Sequence, residues 1–352
     1  MIVHQFLSTF EPGAVGMHTI LARDALRAAG HTSDIWALQI HPAYAHTGAS
    51  LAESFAGPAD LLVYQMAIGS SVAEIVRERT EPLVVNHHNL TPWRFLVGWE
   101  PAAAHGVALG IAQLHALATR AELGLAVSHY NEADLIEAGY RHTAVVPILV
   151  DLARFDAIRP DERVRRDGST TWLFVGRLAR NKAQHDIVKA LAAYRRFHDP
   201  DARLVLVGGG VDEPYGRALR RFVHALELDD AVTFAGAATA EALAAHYAAA
   251  DVLVVCSEHE GFCVPLLEAW HFQLPIVAYA AAAVPETLGD AGLLLGVKDP
   301  CTVANAVHHV VGDAALRRHL VAAGSARLRT FDPAVVGPRY VDTVTAIVGA
   351  RS

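Results

Sequence analysis

Cysteine is scarce. Cys256, Cys263 and Cys301 are scattered through 352 residues, odd in number and without CxxC spacing. That argues against a disulfide framework and against a zinc site, and makes a reducing cytoplasm the simplest compartment. Positive charge is also short: 29 Lys and Arg face 37 Asp and Glu, a formal net charge of −8, which argues against a general nucleic-acid binder. No charge-free apolar run reaches about 18 residues, so a transmembrane helix is not expected. Met1–Leu7 reads as the approach to a strand rather than a basic leader. Any membrane contact would be peripheral. Lysine is sparse beside arginine, and much of the 53% hydrophobic share is alanine, a bias that a GC-rich genome explains.

A chain of this length is comfortable as two domains with sizeable cores. In the first half, strand candidates recur at Ile2–Leu7, Asp34–Leu38, Asp60–Tyr64, Pro82–Asn86, Gly124–Val127 and Thr143–Val146. Helical patterns fall at His18–Ala28, Ser70–Arg79, Ala103–Ala121 and Asn131–Ala138, with Phe10–Gly16 as a turn and Gly30 as a helix terminator. Val150–Ser169 is polar and weakly periodic, and reads as an interdomain connection. A second alternating series follows. Its strands are Thr171–Val175, Arg203–Val207, Ala231–Ala235, Asp251–Cys256, Pro275–Tyr279 and Gly292–Leu295. Its helices are Gln184–Phe197, Pro214–Leu226, Ala240–Ala249 and Pro265–Phe272. Pro333–Val348 is a further helical segment. Such alternation predicts α/β domains with parallel sheets wrapped by helices, and ligands at the carboxyl ends of the strands.

The stretch Cys256–Ala278, CSEHEGFCVPLLEAWHFQLPIVA, reads as strand, loop, helix and next strand. Pro265 suits the first helical turn. The loop would bring the backbone N–H groups of Phe262, Cys263 and Val264 to a helix N-terminus, a natural anion site. Glu260 in the loop and Glu268 in the helix flank it. Two carboxylates beside an anion site make sense for a phosphate ester that also carries hydroxyls, as a nucleotide sugar does. Helix capping by solvent-facing glutamates is the plainer reading of an isolated E-x7-E.

A second cluster is Phe174-Val175-Gly176-Arg177-Leu178 with Lys182. Arg177 offers a bidentate fork and Lys182 a compact charge, suited to converge on one diphosphate. Leu204–Gly210 invites a dinucleotide reading, but the third glycine position holds Glu213, so a dehydrogenase is disfavoured. Gly13-Ala14-Val15-Gly16 would let a phosphate or sugar approach the backbone, or would form an ordinary βα turn. Asn86-His87-His88-Asn89 follows a strand, and adjacent histidines there cannot face the same way. One is expected towards the cleft and one into the structure. Ser128 and Asn131 fit helix capping as well as ligand contact. Trp93–Trp99 mixes tryptophans with an arginine, an interfacial composition, although core packing is its plainer use.

The Glu260-Gly261-Phe262, Pro265, Glu268-Ala269 and Pro275 pattern resembles the sugar-nucleotide signature of the retaining glycosyltransferases of family 4 (GT4), and Gly176-Arg177 with Lys182 resembles that family's G-R-x4-K. Cys263 stands where the family most often has glycine. The fuller string SEHEGFCVPLLEA resembles a subset leaning towards GDP-linked mannose or rhamnose. The resemblance is strong over 172–296 and looser before 150. It implies the GT-B fold, two Rossmann-like α/β domains facing across a cleft. An acceptor-side domain would span 1–155, with a C-terminal helix at about 333–352 packing back on it, and a donor-binding domain would span 165–332.

The resemblance implies that Arg177, Lys182 and the helix end at Phe262–Val264 hold the donor diphosphate. Glu260 would fix sugar hydroxyls and Glu268 the ribose, with Gly13, Gly16, Gly176, Gly208, Gly209 and Gly261 close to the donor. His88 matches best the family histidine that contacts donor sugar and phosphate; His87 is the alternative. No cofactor and no bound metal are expected, since the nucleotide sugar is a co-substrate. A glycan or polyprenyl-diphosphate-linked oligosaccharide is the implied acceptor, in polysaccharide biosynthesis in the cytoplasm or at the inner face of the cell membrane. A GT-B phosphorylase, a sugar-nucleotide epimerase or a non-catalytic nucleotide-sugar-binding module would use a similar cleft.

Overall fold

The computed structural model describes residues 1–159 and 169–349. The part of the expected connection at 160–168, with Pro160 and Gly168, lies outside the described residues. Contacts cluster the chain into two units, Met1–Asp151 with Thr330–Ser352, and Leu152–Arg329.

The first unit holds seven strands: β1 (Val3–Phe10), β2 (Ile35–Ile40), β3 (Ser50–Leu51), β4 (Leu61–Met66), β5 (Leu83–His87), β6 (Leu123–Ala126) and β7 (Thr143–Val145). Its helices α1 (Ala14–Ala28), α2 (Val72–Glu78), α3 (Pro101–Leu117) and α4 (His129–Ala138) alternate with them. The sheet is parallel, in the order β3-β2-β1-β4-β5-β6-β7. β4 and β5 are buried along their whole length, as expected of central strands covered on both faces.

The second unit begins after the connection with β8 (Thr171–Val175), α5 (Gln184–Phe197), β9 (Arg203–Val207), α6 (Pro214–Ala225), β10 (Val232–Gly236) and α7 (Ala240–Ala249). It continues with β11 (Val252–Val255), α8 (Val264–His271), β12 (Ile276–Tyr279), α9 (Val284–Leu288), β13 (Leu293–Leu295), α10 (Pro300–Gly312) and α11 (Ala314–Leu328). This sheet is also parallel, in the order β10-β9-β8-β11-β12-β13. The last helix, α12 (Pro333–Gly349), belongs to the first unit, where Val336, Tyr340, Val341 and Val344 join a core with Val3, Leu61 and Leu125.

In both sheets the strand order reverses at one point, between β1 and β4 and between β8 and β11. In open α/β sheets the crevice at the carboxyl ends beside such a reversal is the place for a ligand.

The sequence-derived elements need adjustment in a few places. The short β3 and the helices α9, α10 and α11 were not expected. The turn expected over Phe10–Gly16 is shorter, because Phe10 closes β1 and α1 already starts at Ala14. Gly16 is therefore helical, and a Cβ there would stand 2.1 Å from the Glu11 carbonyl oxygen, so close packing on the backbone accounts for it.

Candidate functional site

In the second unit, three strands neighbouring the reversal deliver the expected donor residues to one edge of the sheet. β8 runs into Gly176, Arg177 and Lys182. β9 runs into Gly208 and Gly209. β11 runs into Glu260, Gly261, Phe262 and Cys263, and then α8. The loops after β8 and β9 touch: Leu178 N–H donates to the Gly209 carbonyl at 2.8 Å, and a Cβ on Gly208 would stand 2.1 Å from the Gly176 oxygen. Gly176 and Gly208 hold φ near +147° and +146°, a region that only glycine visits easily. Gly208 thus sets the position of the Arg177 loop by close backbone approach.

The loops after β8 and β11 are joined residue by residue. Arg180 NH1 lies 3.0 Å from Glu258 Oε2. Glu258 N–H donates to the Asn181 carbonyl at 2.7 Å, and Asn181 Nδ2 donates to the His259 carbonyl at 3.2 Å. Lys182 Nζ lies 2.6 Å from Glu260 Oε2, with both side chains mostly buried. Behind this seam Lys298 Nζ sits 2.6 Å from both Glu258 Oε1 and Asp186 Oδ2. Burial opposes charge on Glu258 and Asp186, yet the cations beside them hold both carboxyls below their usual range. Burial likewise opposes charge on Lys298, and its two carboxylates outweigh that and raise it. The three groups form a charged clamp under the loop that carries Glu260.

Arg177 is turned to a different partner. Its NH1 lies 3.2 Å from Glu213 Oε2. Glu213 is the residue that breaks the glycine pattern after β9, and the pair accounts for a carboxylate at that place.

α8 begins at Val264 with Pro265 in its first turn. Cys263 caps it at φ +75°, a left-handed conformation that explains why glycine is the usual residue there in the resembling family. Phe262 and Cys263 are buried, and burial pushes the Cys263 thiol well up, so it is not a reactive thiolate.

Glu268, one turn into α8, is buried and bonded on both oxygens. Tyr247 OH donates to Oε2 at 2.8 Å, and Arg154 NH2 lies 2.9 Å from Oε1. Burial pushes the Glu268 carboxyl above the usual range, against the opposing pull of Tyr247 and Arg154. Tyr247 stacks on Phe272, and Arg154 lies over the Phe155 ring, so the support is packed as well as bonded.

In the first unit, His87 and His88 leave the chain on opposite faces. Both are buried. His87 Nε2 lies 3.0 Å from Asp134 Oδ2, while His88 Nε2 lies 2.7 Å from Gln65 Oε1. Gly13 is the α1 N-cap at φ +155°. Ser128 caps α4 by accepting from Asn131 N–H. Trp93 is 54% exposed on a helical turn, Trp93–Phe95, so core packing does not account for it.

Sequence reasoning missed Arg154, Asn181, Glu258 and Lys298, and saw Glu213 only as a broken glycine. One signal was present: Arg180-Asn181-Lys182 and Glu258-His259-Glu260 carry opposite charges at the same two-residue spacing. Among the described residues no group of three or more His, Cys, Asp or Glu is arranged to hold a metal ion, and no helix is long and apolar enough to cross a membrane.

Residues 169–313 match the family model described as glycosyl transferases group 1. A D-inositol 3-phosphate glycosyltransferase of Geodermatophilus obscurus is 32% identical over 81% of this chain and 65% of its own. A GDP-mannose-dependent alpha-(1-6)-phosphatidylinositol monomannoside mannosyltransferase of Mycobacterium tuberculosis is 34% identical over 51% of this chain and 49% of its own. The chain thus spans between about half and two thirds of the length of these curated relatives. Among solved structures, HepE of Anabaena, crystallised with UDP and glucose, superposes with a TM-score of 0.79 at 18% identity, over 98% of this chain and all of that one. That likeness is one of fold, and the fold is GT-B.

Proposed function

The chain belongs to glycosyltransferase family 4, the group 1 glycosyl transferases, and from that premise we propose that it is a retaining, metal-independent hexosyltransferase using a nucleotide-diphosphate sugar. The observation that supports the reading is that Arg177, Lys182, Glu260 and the start of α8 all follow the carboxyl ends of β8 and β11, with Lys182 paired to Glu260. A diphosphate is the ligand that matches two cations and a helix end, and the sugar hydroxyls match the adjacent carboxylates. Bond cleavage leaves the nucleoside diphosphate with more charge than the donor had. Arg177 and Lys182 therefore stabilise the transition state more than the ground state.

In this reading the acceptor hydroxyl attacks on the face from which the phosphate departs, and a phosphate oxygen takes the proton. Glu260 positions sugar hydroxyls and is not a glycosidase-type nucleophile. Glu268 binds the ribose, and His88 binds the donor.

A GDP-linked mannose- or rhamnose-type sugar is the favoured donor, supported by the SEHEGFCVPLLEA string and by the GDP-mannose in a relative's name. The acceptor is a hydroxyl of a glycan or polyprenyl-diphosphate-linked oligosaccharide in polysaccharide biosynthesis. Peripheral contact with the cytoplasmic membrane face is part of the proposal. It rests on exposed Trp93 and Val97 beside α3, whose Leu109 and Ile111 are also exposed. Liposome flotation of wild type and Trp93→Ala/Trp99→Ala tests it, and equal flotation removes it.

The reaction itself is tested by a thermal-shift screen of nucleoside diphosphates and their sugars, followed by NMR of the product's anomeric centre. Retention is expected. An inverted product contradicts the mechanism, and donor turnover that needs free phosphate instead of a hydroxyl acceptor contradicts the transferase reading.

A further inference from the structure

Arg180, Asn181 and Lys182 face Glu258, His259 and Glu260 across two loops, and each stretch repeats its charge at every second residue. Such a repeat leaves the side-chain pairing open. Arg180 with Glu258 and Lys182 with Glu260 is one set. Lys182 with Glu258 is an exchange that still sets a cation against an anion. The bonds from Glu258 N–H to the Asn181 carbonyl and from Asn181 Nδ2 to the His259 carbonyl join the loops, but they do not choose between the two carboxylates. A lysine is open to this exchange because its ammonium rides on a flexible four-carbon stem.

The choice falls to Lys298, in the turn between β13 and α10. Its Nζ meets Glu258 Oε1 at 2.6 Å, while Arg180 NH1 donates to Oε2 at 3.0 Å. Each Glu258 oxygen thus already faces a cation. Lys298 is fixed in turn: Asp186 Oδ2 lies 2.6 Å from the same Nζ, and the Tyr279 ring centroid lies 5.3 Å away. Asp186 is tied through its other oxygen to Lys189 at 2.9 Å, with His185 Nε2 at 3.5 Å. Lys298, Glu258 and Asp186 keep most of their side chains from solvent, where salt screens an ion pair less than at the surface.

We infer that Lys298 is a positioning residue: by occupying Glu258 it keeps that carboxylate from Lys182, and so reserves Lys182 and Glu260 for the donor. Without Lys298, one Glu258 oxygen loses its cation. Glu258 and Asp186, both drawn against one nitrogen, then repel each other. Glu258 turns to Lys182, two carboxylates share one ammonium, and a diphosphate meets less positive charge. The identity of the ligand rests on the glycosyl-transfer reading; the partner of Lys182 does not.

Crystal structures of wild type and Lys298→Met give the first test. Lys182 is expected against Glu260 in wild type and against Glu258 in Lys298→Met. Lys182 paired with Glu260 alone in the variant overturns the inference. Titration calorimetry with GDP and UDP gives the second. Affinity for the tighter of the two should fall about tenfold in Lys298→Met, and Lys298→Met/Glu258→Gln should regain most of it, because the competing carboxylate is gone. A lysine that only stabilises the fold predicts the opposite, a further loss once the Arg180–Glu258 pair is broken too. That further loss, or unchanged affinity in Lys298→Met, overturns the inference. Should Lys298→Met fail to fold, as its melting temperature shows, Lys298→Met/Asp186→Asn removes the repulsion and takes its place with the same expectations. Should wild type bind neither diphosphate, the transfer reading fails, while the crystal structures still decide the partner of Lys182.

Discussion

Lys182 Nζ and Glu260 Oε2 lie 2.6 Å apart, at the end of a seam in which residues 180–182 and 258–260 meet one to one. The cation proposed for the diphosphate and the carboxylate proposed for the sugar are thereby one unit. A donor that engages Lys182 also finds Glu260 already placed. Lys182→Ala should therefore lower kcat for transfer by orders of magnitude and leave Glu260 without its partner, so that Lys182→Ala and Lys182→Ala/Glu260→Gln differ by less than the two single losses predict. Steady-state kinetics of the double-mutant cycle checks this, and strictly additive losses contradict it.

Arg177 and Glu213 make a pair in which both side chains are nearly half exposed. Such pairs contribute about 0–1 kcal/mol. Glu213→Gln should change donor KM by less than about fivefold. Arg177→Ala should cost far more, because it removes the charge proposed to meet the diphosphate. Comparing the two variants at one salt concentration separates a partner of Arg177 from a partner of the substrate.

Arg154 and Tyr247 support the buried Glu268. Removing Arg154 takes away a pull that lowers the Glu268 pKa, so the carboxyl moves further up under burial alone. Arg154→Ala should raise donor KM, and KM should then improve with rising pH as Glu268 ionises. A pH profile of KM measures this. Arg154→Lys should restore part of the wild-type profile, and a flat, unchanged KM in Arg154→Ala would contradict the support role.

His18 is buried and neutral, with its pKa lowered from 6.5 to about 3 by burial. The unfolded chain binds that proton below about pH 6.5 while the folded chain does not. Stability is therefore present above the unfolded value and lost as pH falls below it. One such histidine accounts for about 2 kcal/mol between pH 6.5 and 5. Urea unfolding at pH 7 and pH 5 should show at least this loss, and His18→Gln should lessen the pH dependence even if it lowers stability at pH 7.

The strands β8 and β9 and the helices α5 and α7 were legible to the residue, because their apolar periods and flanking breakers are uninterrupted. The G-R-x4-K and E-x7-E spacings mark two loops that meet at one edge of the second sheet. What stayed illegible depends on tertiary contact. Glu213 looks like a defect until β9 places it beside Arg177. Arg154 lies over a hundred residues from Glu268. Gln5 and Gln65 read as ordinary polar strand residues, and only the pairing of β1 with β4 brings them together under His88. Gly16 read as part of a turn because sequence shows a glycine's freedom and not the carbonyl packed against it.

In the proposed function, one diphosphate is gripped by Arg177, Lys182 and the tip of α8. Titration calorimetry of GDP, UDP and their monophosphates into wild type and Arg177→Ala/Lys182→Ala measures this directly. The expected result is binding of a diphosphate over its monophosphate in wild type, weakened at least about 100-fold in the double variant at unchanged melting temperature. Equal affinity of the two proteins for the diphosphate would contradict the account.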